Sequence, residues 1–194
     1  MESEGPEAQE GPQSGVIGER KRLNGKIHLE PYNPDWPGMF SDLAARVRAA
    51  LPNRVLMLEH VGSTSIKGLS AKPIIDILLV VEDSRRESDY VQPLESQGFT
   101  LRRREPEWFE HRLFRHAEIK SNLHVFSQDC TEIDRMLAFR DWLRANPEDR
   151  LLYEAAKREL AAKHWAYGQD YADAKTEVVR AILDRALGRS NTKA

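Results

Sequence analysis

The sequence predicts an α+β fold, a mixed β-sheet with flanking helices followed by an all-helical carboxyl-terminal part. Residues 73–81 carry seven aliphatic side chains (Ile74, Ile75, Ile77, Leu78, Leu79, Val80, Val81) around the one charge of Asp76, and such continuous apolar character marks a strand buried on both faces. Before residue 130, short strand-like runs are mixed with helical ones, whereas after it only helical periods occur. A chain of 194 residues buries roughly 70% of its extended surface, enough for one core without staples.

The elements follow in order. Residues 27–32 read as a short edge strand ended by Pro31. Asn33-Pro34-Asp35 then starts a helix, whose apolar stripe is Trp36, Phe40, Leu43, Val47, Ala50 and Leu51 before Pro52 stops it. Residues 54–59 are strand-like, 62–70 form a polar loop, and 73–81 form the central strand. A helix over 84–97 ends at Gly98. Strands are expected at 99–104, 111–116 and 122–126, and helices at about 131–145, 147–167 and 170–187. Asn146-Pro147-Glu148 supplies a cap, a first-turn proline and an acid on the helix dipole. One domain is therefore expected over 26–190, helical from about 131. Residues 1–25, rich in Gly, Pro, Gln and Glu and poor in large apolar side chains, are expected to stay disordered.

Charge narrows the function classes. Twenty-nine basic and 31 acidic residues give a formal net charge of -2. Residues 1–22 hold five acids and three bases, which leaves 26 of each for the rest. A neutral body argues against a dedicated nucleic-acid or membrane-surface partner. The single cysteine, Cys130, excludes a disulfide framework and fits a reducing compartment. No apolar run approaches the ~18 residues of a membrane span, and the amino terminus has no signal-peptide core. A cytoplasmic chain is the expectation.

The chemistry gathers in Glu59-His60-Val61-Gly62-Ser63-Thr64-Ser65-Ile66-Lys67-Gly68-Leu69-Ser70-Ala71-Lys72-Pro73-Ile74-Ile75-Asp76-Ile77. Glycines, free amides and hydroxyls make the loop a candidate anion cradle, with Lys67 and Lys72 beside it. Asp76 is the sharper point, because a carboxylate within an aliphatic strand costs several kcal/mol unless paired or metal-bound. A structural ion pair, a metal ligand and a general base all fit it. The helical part adds one cation within the apolar stripe of each helix: Arg140, Lys157 and Lys175, the lysines one turn after Tyr153 and Tyr171. These cations either converge on Asp76 to hold phosphates or an acidic substrate, the tyrosines stacking on a base, or they form structural ion pairs with Glu59 or Asp141. Of the basic hairpin Arg102, Arg103, Arg104, Arg112 and Arg115, Arg112 is expected to come nearest the cleft.

The long motif, with Asn122-Leu123-His124-Val125, Phe139-Arg140-Asp141-x-Leu143-Arg144-x-Asn146-Pro147, Tyr153-x-x-x-Lys157 and Tyr171-x-x-x-Lys175, resembles the GrpB family. That family is placed within the nucleotidyltransferase (polymerase-beta-like) superfamily and is also found fused to dephospho-coenzyme A kinase. The resemblance covers about residues 27–187 and implies a nucleotidyltransferase-like mixed sheet with a carboxyl-terminal helical subdomain. In that superfamily a Gly-Ser turn holds nucleotide phosphates and an Asp-x-Asp pair on the next strand binds divalent metal. The resemblance maps the turn onto Gly62 and Ser63, with Ser65 beside them, and the first aspartate onto Asp76. The second aspartate's position is Leu78, so a mixed set of Asp76, Glu59 and His124, with His60 in reserve, is expected to hold the divalent metal ion instead. The implied activity is metal-dependent nucleotidyl transfer from a nucleoside triphosphate to a small-molecule or peptidic acceptor. The alternative is a noncatalytic nucleotide- or phosphate-binding module assisting a partner enzyme. Both make the partner a small phosphorylated molecule.

Overall fold

The computed structural model describes residues 15–17 and 22–189. Helix α1 (Trp36–Ala50) leads to β1 (Met57–Val61), a 3₁₀ turn (Ser63–Ser65) and β2 (Ile75–Val81). A second 3₁₀ turn (Glu87–Asp89) and the short α2 (Val91–Ser96) precede β3 (Phe99–Glu105), β4 (His111–His116) and β5 (Ser121–Ser127). Four helices close the chain: α3 (Thr131–Ala145), α4 (Pro147–Ala161), α5 (Gly168–Asp173) and α6 (Thr176–Ala186). The expected α+β architecture is the observed one.

The strands form a five-stranded mixed sheet in the order β1-β2-β5-β4-β3. β2 is central and pairs antiparallel to β1 and parallel to β5, which explains its continuous apolar run. Strand alternation sends Ile75, Ile77, Leu79 and Val81 to one face, where they pack with Trp36, Leu43 and Val47 of α1. Leu78 and Val80 point to the other face and pack with Val61, Phe126 and Ile133 of α3. Asp76 shares this second face.

Several expectations need correction. Residues 27–32 are not a strand but an extended segment with one bridge, Glu30 to Ala71, closed by hydrogen bonds of 2.8 and 2.9 Å. The helix expected over 84–97 shrinks to the turn and α2. Buried Ser84 does not cap a helix: its hydroxyl donates to the Glu110 carbonyl at 2.8 Å and its amide to Ser127 Oγ at 2.9 Å, which ties the segment to the sheet's end. The helix expected over 147–167 stops at Ala161, and the last one is broken into α5 and α6 with Lys175 at the break. Part of the stretch expected to be disordered is paired. Val16 bridges Arg103, the Ile17 amide donates to the Arg102 carbonyl at 2.9 Å, and Leu23, Asn24 and Gly25 bond to Trp165 and Ala166. Residues 1–14 and 18–21 lie outside the described residues.

Candidate functional site

Asp76 is the second residue of β2, in register with Val61 of β1 and Asn122 of β5. The Asn122 amide donates to Asp76 Oδ1 at 2.9 Å, and His124 Nε2 stands 3.8 Å from the same oxygen. Burial alone would push the Asp76 carboxyl up, but His124, Asn122 and Lys72 together hold it below the usual carboxylate range. The anion is therefore stabilised in place.

Gly62 turns the chain against this carboxylate. Its φ is 66°, and a Cβ there would meet Asp76 Oδ2 at 2.4 Å, so only glycine fits. The turn's hydroxyls largely brace the turn itself. Ser65 Oγ donates to the Gly62 carbonyl at 2.7 Å, Thr64 Oγ1 contacts His60 Nε2 at 3.0 Å, and Arg144 donates to the Ser65 carbonyl at 2.9 Å. Ser63 sits beside Tyr153, whose hydroxyl burial pushes up to about 12, with Ser63 pulling it down and Asp76 pushing it up.

The expected metal set does not assemble. Glu59 is engaged by Arg140 Nη1 at 2.8 Å and is 44% exposed. His60 turns to the α1 face, where it stacks on Phe40 at 4.8 Å, and burial drives its pKa down to about 4. Among the described residues no group of three or more His, Cys, Asp or Glu side chains is arranged to hold a metal ion. Asp76 and His124 are the two members that meet, and Leu78 beside them is fully buried hydrocarbon.

The cations divide into two groups. Arg140 is a clamp, bonded to Glu59, Asp141 (2.7 Å) and the His60 carbonyl (3.1 Å). Lys157 is buried and donates to the Ser70 carbonyl, with Glu154 at 3.6 Å; burial lowers its pKa to about 8. Glu154 accepts the Ser70 amide at 3.0 Å and Arg158 reaches Ser70 Oγ at 2.8 Å, so one helix holds the loop that leads into β2. Arg112 does not approach Asp76. It lies on the opposite sheet face with Phe114 and pairs with Glu87 at 2.6 Å and Glu110 at 3.2 Å.

Lys72 and Lys175 behave differently. Their ammonium groups lie over the Tyr171 ring at 5.3 and 4.7 Å. Burial and then Lys175 lower the pKa of Lys72, while Asp76 opposes and Arg115 adds to the lowering. Burial lowers Lys175 and Asp76 opposes it. Arg115, on Asp76's face by strand alternation, is lowered by burial and then by Arg102 and Arg103. Among the described residues no ion pair joins Lys72, Lys175 or Arg115 to a carboxylate. The Tyr171 hydroxyl, on a residue 1% exposed, has no hydrogen-bond partner among the described residues. Positive charge thus faces one carboxylate, and the ring that both ammonium groups overlie carries an orphaned hydroxyl.

Sequence reasoning singles out neither Glu105 nor His111 for the site, and of the basic hairpin it favours Arg112 over Arg115. Phe114 is a core residue, so alternation alone sends Arg112 to its face and Arg115, with His111, to the other. Glu105 Oε2 meets His111 Nδ1 at 2.7 Å, and His111 Nε2 meets His124 Nδ1 at 3.1 Å. This row runs from the sheet edge to Asp76.

The comparisons agree with this architecture. A UPF0157 protein of Halalkalibacterium halodurans is 54% identical over 181 residues, covering 93% of each chain. A UPF0157 protein of Streptomyces coelicolor is 41% identical, covering 88% of this chain and 89% of its own. A dephospho-CoA kinase of Mycolicibacterium paratuberculosis is 28% identical over 165 residues, which span 40% of that protein. The crystal structure of conserved protein GrpB from Enterococcus faecalis superposes with a TM-score of 0.74 at 31% identity, over 84% of this chain and 98% of that one. The family model described as GrpB protein matches residues 26–185, and with the shared sheet and helices this makes the chain a member of the GrpB family.

Proposed function

We propose that this GrpB chain binds a small phosphorylated molecule in the cleft between the amino-terminal ends of β2 and β5 and helices α4–α6. The observation that carries the reading is the pair Lys72 and Lys175, half-buried around Tyr171 with Asp76, among the described residues, the one carboxylate opposing their charge. Desolvated ammonium groups without partners are costly, and a phosphate dianion is the complement that stabilises them. Arg115 adds charge at the rim, and the Tyr171 hydroxyl is an unused donor. A GrpB-like segment within a dephospho-CoA kinase supports the same ligand class and a role beside a phosphoryl-transfer enzyme.

Isothermal titration with pyrophosphate and with ATP, each with and without a chelator, tests the reading. Binding is expected to persist without metal and to weaken about 10- to 100-fold in Lys175→Met, the worth of one charge-assisted hydrogen bond. Arg112→Met should bind as the parent does. Absence of binding, or affinity unchanged from the parent in Lys72→Met and Lys175→Met, would overturn it. Metal-dependent nucleotidyl transfer from a nucleoside triphosphate is the second reading, favoured by the tight seating of the Gly62 turn on Asp76. It requires an ion held with fewer protein donors than the expected set, and binding that vanishes with the chelator would favour it.

A further inference from the structure

Strand β3 carries a bulge between Leu101 and Arg103, which pair with the adjacent residues Phe114 and Leu113 of β4. Arg102 is the extra residue. It follows Leu101, which packs on the α1 face, so alternation already points it to the face of Asp76. The bulge then sends Arg103 to that face too, opposite Leu113, where regular alternation would have turned it away. Arg115, two residues after Leu113, joins them, and both neighbours add to the lowering of its pKa that burial begins. β4 runs antiparallel to β5 and β3 antiparallel to β4, so this cluster lies at the same end of the sheet as Asp76. The register that pairs Phe114 with Leu123 carries on to set Arg115 abreast of Asn122, which pairs with Asp76. Strands about 4.8 Å apart place the Arg115 backbone two strands, roughly 10 Å, from that of Asp76. Among the described residues Arg103 pairs with Glu105 at 3.2 Å, while Arg102 and Arg115 meet no carboxylate. Guanidinium groups do not shed protons in proteins, so neighbours that repel one another need an anion to relieve them. A phosphate dianion does so through bidentate bonds that match the guanidinium fork.

We propose that Arg102, Arg103 and Arg115 form a second phosphoryl subsite beside Lys72 and Lys175, and that the ligand is a small molecule carrying two phosphoryl groups. This rests on the phosphate reading above and deepens it. Lys72 and Lys175 hold one phosphoryl group at Tyr171, and the guanidinium cluster holds the other on the far side of Asn122. Two kinds of molecule share this chemistry, a phosphoric anhydride and a pair of separate phosphate esters. Arg104, the next residue on β3, supplies the control. It pairs with Arg112 on the opposite face, where Glu87 holds it at 2.7 Å, so it carries the same charge and belongs to neither subsite.

Calorimetric titrations in a chelator compare propyl phosphate, propane-1,3-diyl bisphosphate and pyrophosphate. At least one doubly phosphorylated compound should bind about tenfold or more tightly than propyl phosphate, the worth of one charge-assisted bond. In Arg115→Met that ratio of affinities should fall about tenfold, and in Arg104→Met it should match the parent. Both side chains reach the surface, so neither substitution opens the core. A gain for either compound supports the second subsite, and identifies an anhydride if pyrophosphate gains more or separate esters if the bisphosphate does. Equal affinities for all three, or a ratio that is unchanged in Arg115→Met or falls alike in Arg104→Met, would overturn the subsite and leave the phosphate reading standing. Failure of all three to bind overturns the phosphate reading and the subsite with it.

Discussion

Replacing Gly62 by alanine isolates the contact on which the site is built. The backbone there has φ 66° and ψ -173°, a region open essentially to glycine, and an alanine in it costs on the order of 1–3 kcal/mol. The added Cβ would also lie 2.4 Å from Asp76 Oδ2 and 3.0 Å from its Cβ and Cγ, so the carboxylate must move and release the Asn122 amide. Losing that charge-assisted bond adds about 1.5 kcal/mol, for a total of about 2.5–4.5 kcal/mol. In a domain of this size the melting temperature should fall by about 5–18 °C. Gly68→Ala is the control. Its φ is 84°, but nothing lies within 4 Å of the new Cβ, so only the backbone cost applies. Urea unfolding of both variants gives the difference directly. Equal destabilisation of the two would refute the claim that Gly62 is required by the carboxylate rather than by its own dihedral angles.

Other substitutions separate structure from binding. Arg112→Met removes a buried partner of Glu87 and Glu110 while Arg104 still holds Glu87, and should lower stability by about 1–3 kcal/mol, read by denaturation, with phosphate affinity unchanged. Arg140→Met frees Glu59 and the His60 carbonyl and should cost about 1–3 kcal/mol; a neutral result would show that the clamp does not matter. Acid should destabilise the fold early. His60 and His111 have folded pKa values near 4 against 6.5 unfolded, so the unfolded chain binds more protons and stability drops as pH falls from 6.5 to 4. Unfolding at pH 5 should take up nearly two protons from this pair, and one fewer in His111→Phe, as measured by the pH slope of unfolding free energy. A flat slope over that window would contradict the buried neutral rings.

What was legible in the sequence was what local pattern encodes. The continuous run of β2 announced a central strand, Asn146-Pro147 placed the start of α4, and Gly62 and Asp76 stood out by residue type alone. Register was hidden. Asn122 meets Asp76 because β2 and β5 pair in parallel across 40-odd residues of intervening chain, and no local period shows that. Arg112 was misplaced although Phe114, two residues on, already marked its face as core. Arg140 and Lys157 read from the sequence as cations in apolar stripes, and Arg140 takes the expected alternative of an ion pair with Glu59 and Asp141, whereas the partner of Lys157, the Ser70 carbonyl, lies far away in sequence. The helix over 84–97 failed because a buried serine hydroxyl at its start serves the sheet rather than the helix.

The threefold grip on Ser70 has a consequence for how the chain unfolds. Its amide, hydroxyl and carbonyl all end on α4, at Glu154, Arg158 and Lys157, and the carbonyl of Ala161 at that helix's end accepts the Ile27 amide at 3.2 Å. The helical part is therefore no detachable appendage. Undocking α4 exposes every polar group of Ser70 and slackens the segment that aims Asp76, so the helix and the turn open as one cooperative unit. Amide protons at Ser70 and along α4 should exchange with solvent at a shared free energy, and a ligand that tightens the cleft should slow them together.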